Sequence, residues 1–293
     1  MRLGYACSNM TLGRSVREMR LATLRERGLP YVQTLLDENL TLLADIMRWN
    51  RAHTIDMFRL PANLVPFATH AEVDLARLDF SRAAEVPALA VGTRVSVHPG
   101  HFTVISAADG IWETGRRDLL YHSWFMDMLG IDGDITIHGG GVYGDRPETA
   151  ARIVANIETL PAGVRRRLRL ENDERAWDVS QLLPICERTA TPLVVDNLHH
   201  ALNSGDVPFA LLPWDRIHAT WGPERTPKLH YSEQDPSKKP GAHSAYVDVD
   251  RFRAFMAEIP WPDYDVMLEC KAKERALLRL RDGLPISARK PTA

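Results

Sequence analysis

Six short apolar runs in this chain end on a side chain able to hold a cation: His98, His138, Glu171, Asp196, His230 and Glu269. They lie in "VSVHPGHF", "DITIHGG", "LRLEND", "LVVDN", "KLHYS" and "VMLEC", in that order. Successive side chains of a strand face opposite ways. Val95 and Val97 therefore oppose Ser96 and His98, Ile135 and Ile137 oppose Thr136 and His138, and Leu168 and Leu170 oppose Arg169 and Glu171. Lys228 shares the face of His230. A face covered by helices must be apolar, so the polar set points inward, into a barrel or its mouth. Burying several carboxylates and imidazoles in one cavity is costly unless they neutralise one another or bind cations.

Mixed imidazole and carboxylate donors suit Mn²⁺, Zn²⁺ or Fe²⁺, and no thiolate stands among them. We expect Mn²⁺, with Mg²⁺, Co²⁺ or Zn²⁺ as substitutes. His199 follows Asp196 by three residues, His243 lies beyond the seventh strand-like run and His70 beyond the second. So many donors would need two or three ions. Clustered divalent ions suit in-line displacement at phosphorus, with one ion activating water and another steadying the leaving oxygen. Metal-dependent sugar isomerases and epimerases use similar scaffolds, so on these grounds hydrolase and isomerase stand level. A metal-stabilised binding protein without catalysis fits less well, since structural sites close with four ligands and this set is larger.

The elements that must position these residues alternate along the chain. Eight strand-like runs centre near Leu3, Phe58, Val95, Ile135, Leu168, Val194, Leu229 and Val266. Between them, helical spacing predicts helices over Glu38 to Asn50, Ala71 to Arg82, Arg116 to Leu129, Pro147 to Leu160, Asp178 to Arg188, Val207 to Trp214, Asp248 to Glu258 and Lys271 to Leu280. Eight such units in 293 residues predict an α/β fold, a single-domain (β/α)8 TIM barrel over residues 1–283 with a tail at 284–293. No G-x-G-x-x-G follows any strand, so no nucleotide cofactor is expected.

With 45% hydrophobic and 25% charged residues, the chain has material for a sizeable core. Cys7, Cys186 and Cys270 form no C-x-x-C pair, which argues against a disulfide framework and fits a reducing cytoplasm. No long apolar run or leader-like segment is present, so no membrane partner is expected. The net charge of −2 gives no global signal for a polyanion. Local charge at Arg14 to Arg27, and at Lys238 and Lys239 in "DPSKKPGAH", could touch phosphate, though each alone reads as a solvated face.

The segments "LGYACSN", "MFRLPANLVPFATH", "HPGHF", "IHGGGVYGDR", "LRLEND", "VVDNLHH", "KLHYSEQ", "GAHSAYV" and "DVMLECKAKE" together resemble the UV damage endonuclease family across nearly the whole chain. The resemblance implies a barrel enzyme that nicks double-stranded DNA immediately 5′ of cyclobutane pyrimidine dimers and 6-4 photoproducts, and at some abasic sites. It implies metal ligands at His70, His98, His138, Glu171, Asp196, His199, His230, His243 and Glu269. It also implies an active-site lysine at Lys228 that is N-carboxylated, and a catalytic group of Glu171, Asp196, His230, Glu269 and Lys228. His101 and Phe102 would probe the gap left when the lesion leaves the stack. His101 departs from the glutamine, and Phe102 from the frequent tyrosine, of the family pattern. Tyr5 and Asn9 would line the lesion pocket, with Tyr5 inside the mouth of the first strand. Tyr143, Arg146 and Arg59, with Lys238 and Lys239, would contact DNA. An enzyme that embraces bent DNA in this way is expected to act as a monomer.

Overall fold

The computed structural model describes residues 1–284 apart from 101, 205 and 206. Eight parallel strands close into a barrel in sequence order: β1 (Leu3–Ala6), β2 (Met57–Leu60), β3 (Arg94–Val97), β4 (Gly133–His138), β5 (Leu168–Glu171), β6 (Leu193–Asp196), β7 (Lys228–Tyr231) and β8 (Asp265–Leu268). The register runs Phe58 to Val95, Ile135 to Leu168 and Leu229 to Val266, so the β-branched and leucine positions line up on one face around the ring. That face packs under the helices in one continuous core, while the apolar cluster Ala6, Met57 and Met267 occupies part of the interior.

The helices are α1 (Leu21–Ala52), α2 (Val86–Ala90), α3 (Asp109–Met128), α4 (Arg146–Glu158), α5 (Ala162–Arg167), α6 (Val179–Thr189), α7 (Asn197–Leu202), α8 (Trp214–Trp221), α9 (Val249–Ala257) and α10 (Lys273–Gly283). Helix α1 starts well before Glu38 and is kinked at Gly28, whose φ of 63° and ψ of −164° interrupt the helical backbone just before Pro30. Two expected helices do not form. Over 71–82 there are only 3₁₀ turns, because Asp74 and Asp79 accept from the backbone N–H groups of Ala76 and Ser81 and so offer the chain a local alternative to the helical ladder. Over 207–214, Pro208 and Pro213 leave a single 3₁₀ turn, and the covering helix α8 begins where that segment ends. Leu284, placed in the tail by sequence, is buried in the core, and 285–293 lie outside the described residues. Among the described residues no helix is long and apolar enough to cross a membrane.

The barrel interior is stratified. Toward the strand starts, Asp134 accepts from Arg94 at 3.1 Å and pairs with Arg169 at 2.6 Å, while Asp265 accepts from Arg94 at 2.9 Å. Lys228 lies above them, donating to the Thr136 hydroxyl at 3.0 Å. The residues that end the strands form the next layer, at the mouth.

Candidate metal centre

Glu171 ends β5 almost fully buried, and its two oxygens serve different neighbours. Oε2 lies 3.1 Å from His98 Nε2, at the end of β3, and Oε1 lies 2.8 Å from His230 Nδ1 on β7. Two donor groups result, His98 with His138 and Glu171, and Glu171 with Asp196, His230 and Glu269, and within each the ligand atoms lie no more than 4.8 Å apart. Sharing Glu171 between them gives the arrangement of a carboxylate able to bridge two cations.

The tautomers of three histidines are fixed by backbone carbonyls. His98 Nδ1 lies 3.1 Å from the Pro99 carbonyl, His199 Nδ1 lies 3.0 Å from that of Asn172, and His243 Nδ1 lies 2.7 Å from that of Glu269. A carbonyl only accepts, so each Nδ1 carries the proton and each Nε2 is left to offer its lone pair in the neutral ring. This is the outer-sphere pattern that orients metal-binding imidazoles. His230 is placed differently: Arg59 lies 3.1 Å from its Nε2, and its Nδ1 lies 2.8 Å from Glu171 Oε1, where a cation would take the place of the proton between them. Burial pushes the His230 imidazole down to about 4, which keeps it neutral.

Two buried polar atoms in the cluster, His138 Nδ1 and Asp196 Oδ2, have no hydrogen-bond partner among the described residues. Such orphans are expensive in a finished interior and fit a site completed by a cation. Burial pushes Asp196 up to about 7 against the pull of His199, while Asp196, Glu171 and Glu269 overcome burial to lift His199 to about 9. Burial would raise Glu171 and Glu269 too, but His230 and His138 hold the first, and Arg59 and His230 the second, below the carboxylate range. A cavity of about 640 Å³ opens over this layer, lined by Arg59, His98, His138, His199, His243 and Glu269 among others. The glycine-rich turn after β4 lets the wall come close: Gly140 has a φ of 82°, and a Cβ there would stand 2.5 Å from Ser106 Oγ.

Several expected positions differ. His70 joins neither donor group among the described residues; it sits in a turn well past β2, its Nδ1 accepting from the Glu72 N–H at 3.2 Å. Tyr5 does not face the mouth. It pairs in register with Phe58 on the helix-covered side, its ring centroid 5.0 Å from that of Phe58, and donates to Asn50 of α1 at 2.7 Å. Asn9 is buried beside it, donating to the Tyr5 hydroxyl at 3.1 Å. Arg59 is no surface contact: it is buried in the mouth, 2.5 Å from Glu269. Arg146 is held by the Ala176 carbonyl and Gln181, and lies over the Trp177 ring. Lys228 is fully buried below the donor groups, which excludes a lysine reaching out to phosphate; burial lowers its pKa to about 7. Phe102 is 80% exposed, and Tyr143, Lys238 and Lys239 are exposed on loops beyond the strand ends. His101 lies outside the described residues.

Sequence reasoning missed Asn172. Its side chain bridges the backbone of Asp196, accepting from the N–H at 2.8 Å and donating to the carbonyl at 3.2 Å, and its own carbonyl orients His199. An asparagine directly after a strand-ending glutamate in "LEND" was the available signal. Glu274 was also missed: fully buried, it accepts from the Met10 and Thr11 N–H groups and holds the loop after β1.

The family profile described as UV-endonuclease UvdE matches residues 1–290. A UV DNA damage endonuclease of Clostridium perfringens is 30% identical over 97% of this chain and 71% of its own length. One from Bacillus cereus is 33% identical over 85% of this chain and 82% of its own. The crystal structure of SacUVDE superposes with a TM-score of 0.85 at 31% identity, covering 96% of this chain and 97% of that one. By sequence over almost its full length and by fold, the chain belongs to the UvdE family of UV endonucleases.

Proposed function

We propose that this protein is a metal-dependent endonuclease that hydrolyses a phosphodiester of double-stranded DNA immediately 5′ of ultraviolet lesions. Cyclobutane pyrimidine dimers and 6-4 photoproducts are its main targets, with some abasic sites. The observation that carries this reading is the pair of donor groups sharing Glu171 at the C-terminal mouth of the barrel, where enzymes of this fold place their chemistry. His98, His138 and Glu171 would hold one divalent ion, and Glu171, Asp196, His230 and Glu269 a second. His199 and His243 line the same cavity and offer Nε2 atoms to a third. We assign Mn²⁺ on the mixed imidazole and carboxylate donors. Bound ions would supply Lewis acidity toward a phosphoryl oxygen and acidify water.

The chain's own residues orient and exclude. Asn172 and the three carbonyls fix the ring and carboxylate directions, and Arg59 sets Glu269 and His230 against each other. A duplex cannot reach Glu171 while stacked, so the damaged dinucleotide must leave the helix, and the exposed Phe102 with His101 is suited to fill the gap. Tyr143, Lys238 and Lys239 on the rim are suited to flanking phosphates. The neutral amine that Lys228 gains near pH 7 is the form that adds carbon dioxide, which supports a carboxylated lysine. A mass gain of one carboxyl group on the Lys228 peptide of non-acidified protein is expected; an unmodified peptide refutes it.

The test is to incubate the protein and Mn²⁺ with supercoiled plasmid, irradiated or not. Relaxed circles should form only from irradiated DNA and vanish with chelator. Nicking of both plasmids alike, or no nicking alongside aldose–ketose interconversion, would overturn the assignment.

A further inference from the structure

At the opposite end of the barrel from the metal centre, a cavity of about 610 Å³ opens where the strands begin. Six arginines line it: Arg2, Arg94, Arg166, Arg167, Arg169 and Arg225. Asp134 and Asp265 take up Arg94 and one side of Arg169. Arg166 pairs with Asp132 at 2.7 Å, Arg167 with Asp127 at 2.6 Å and Arg2 with Asp265 at 3.6 Å, which leaves Arg225, of the six, without a carboxylate among the described residues. Arg169 is 5% exposed, yet its Nε meets no acceptor, and neither does the Nε of Arg2. Arg167 is 4% exposed and its Nε has no hydrogen bond, the nearest carboxylate oxygen being that of Asp132 at 3.7 Å. Arg225 is exposed, makes no hydrogen bond or ion pair among the described residues, and lines the same cavity as Arg169. Two guanidinium groups on the walls of one cavity, one buried with a donor unspent and one exposed without a carboxylate, form an arrangement that an oxyanion completes, because charge-assisted N–H bonds to phosphate supply what the carboxylates leave unmet.

We infer that this N-terminal cavity is an anion site that binds a phosphate dianion, through Arg169 and Arg225 with Arg2 and Arg166 at its edge. Among the described residues no aromatic side chain lines the cavity, so none there stacks on a base. Recognition therefore rests on the phosphate group, whether inorganic or the end of a small phosphorylated molecule. The inference is independent of the activity proposed for the other end of the barrel.

The experiment is calorimetric titration of the full chain, in chloride buffer, with inorganic phosphate and separately with a nucleoside 5′-monophosphate. Saturable binding of both with similar affinity is expected. Arg225→Ala, a substitution of an exposed residue, should weaken it by about tenfold or more, the loss of one charge-assisted bond, while lesion-dependent nicking stays at the wild-type rate. Arg166→Ala, also on the surface, should weaken it less. Phosphate binding unchanged in Arg225→Ala would place the anion at the metal centre and overturn the site, as would no binding by the wild type. A loss of DNA affinity in Arg225→Ala without any phosphate binding would instead make this face a nucleic-acid contact and overturn it equally. Tighter binding of the nucleotide than of phosphate would refute phosphate-only recognition.

Discussion

Asp196→Asn should make the metal-free protein more stable at pH 8 while weakening its hold on divalent ions. The Asp196 side chain is fully buried, Oδ1 accepts from the His199 N–H at 2.8 Å, and Oδ2 meets no donor. Burial lifts the carboxyl from an ordinary value of 3.8 to about 7. A carboxyl raised in the folded state stabilises the fold at acid pH, and that contribution is lost as pH climbs from the unfolded value through the folded one. At about 1.4 kcal/mol per pH unit, a window of roughly three units approaches about 4 kcal/mol above pH 7. His199, lifted to about 9, offsets part of this while it stays charged. Asparagine keeps the Oδ1 acceptor and removes the charge. A gain of about 2–3 kcal/mol at pH 8, shrinking to about 1 kcal/mol at pH 5, is the expected difference from wild type.

The comparison must be made between the two proteins rather than along one pH profile. His138 and His230 are both lowered by burial, so they withdraw stability as pH falls below the ordinary histidine value of 6.5, opposite in sign to Asp196. Urea unfolding of both proteins at pH 5, 6.5 and 8 in chelator isolates the Asp196 contribution. Repeating it in Mn²⁺ should cancel the gain at pH 8, since an ion at a hundredfold excess over its dissociation constant stabilises the folded wild type by about 2.7 kcal/mol. If Asp196→Asn is no more stable than wild type at pH 8 without metal, or the difference does not move with pH, Asp196 is not held as an uncompensated carboxylate.

Glu269→Gln should retain lesion binding in a gel-shift assay and lose plasmid nicking; cleavage at the wild-type rate would rule out its assigned role. Arg59→Ala strips the half-buried Glu269 carboxylate of its cation and should destabilise the metal-free protein by about 2–3 kcal/mol, less than a fully buried pair would lose, and Mn²⁺ should restore part of it. Equal urea midpoints for that variant and wild type in chelator would show the pair to be unimportant. His101→Ala combined with Phe102→Ala should narrow the affinity gap between irradiated and intact duplex, by about 1–3 kcal/mol if one base stacks on the exposed ring. An unchanged gap in competition binding refutes the probing role.

The barrel was legible because strand alternation is strict: Ser96, Thr136, Arg169 and Lys228 had to share a face with the donors that follow them, and all lie inward. The same alternation predicts Tyr5 on the outer face, since it is flanked by Gly4 and Ala6, and it should have outweighed the family resemblance that placed the ring in the mouth. His70 stands ten residues past the end of β2, so alternation says nothing of it. The segment 71–82 has helical spacing of apolar residues, yet Asp74 and Asp79 win locally by capping their own turns. Asn172 escaped notice because its work is done through backbone groups of the next strand, a pairing that only register reveals.

The stratified interior explains why the metal centre sits where it does. Below the mouth, Arg94, Arg169 and Lys228 face Asp134 and Asp265, an excess of one positive charge that shrinks as burial lowers the Lys228 pKa to about 7. In the mouth, Glu171, Asp196 and Glu269 face the guanidinium of Arg59, and once a cation displaces the proton that His199 holds in the metal-free site, these groups carry a net charge of −2. One divalent ion brings that layer to neutrality, and a second turns it positive. Only the second condition attracts a phosphodiester, whose own charge is negative, into a cavity with carboxylate walls. Without added cations the mouth repels the backbone it is proposed to cut, so DNA affinity itself, and not cleavage alone, should rise with metal loading.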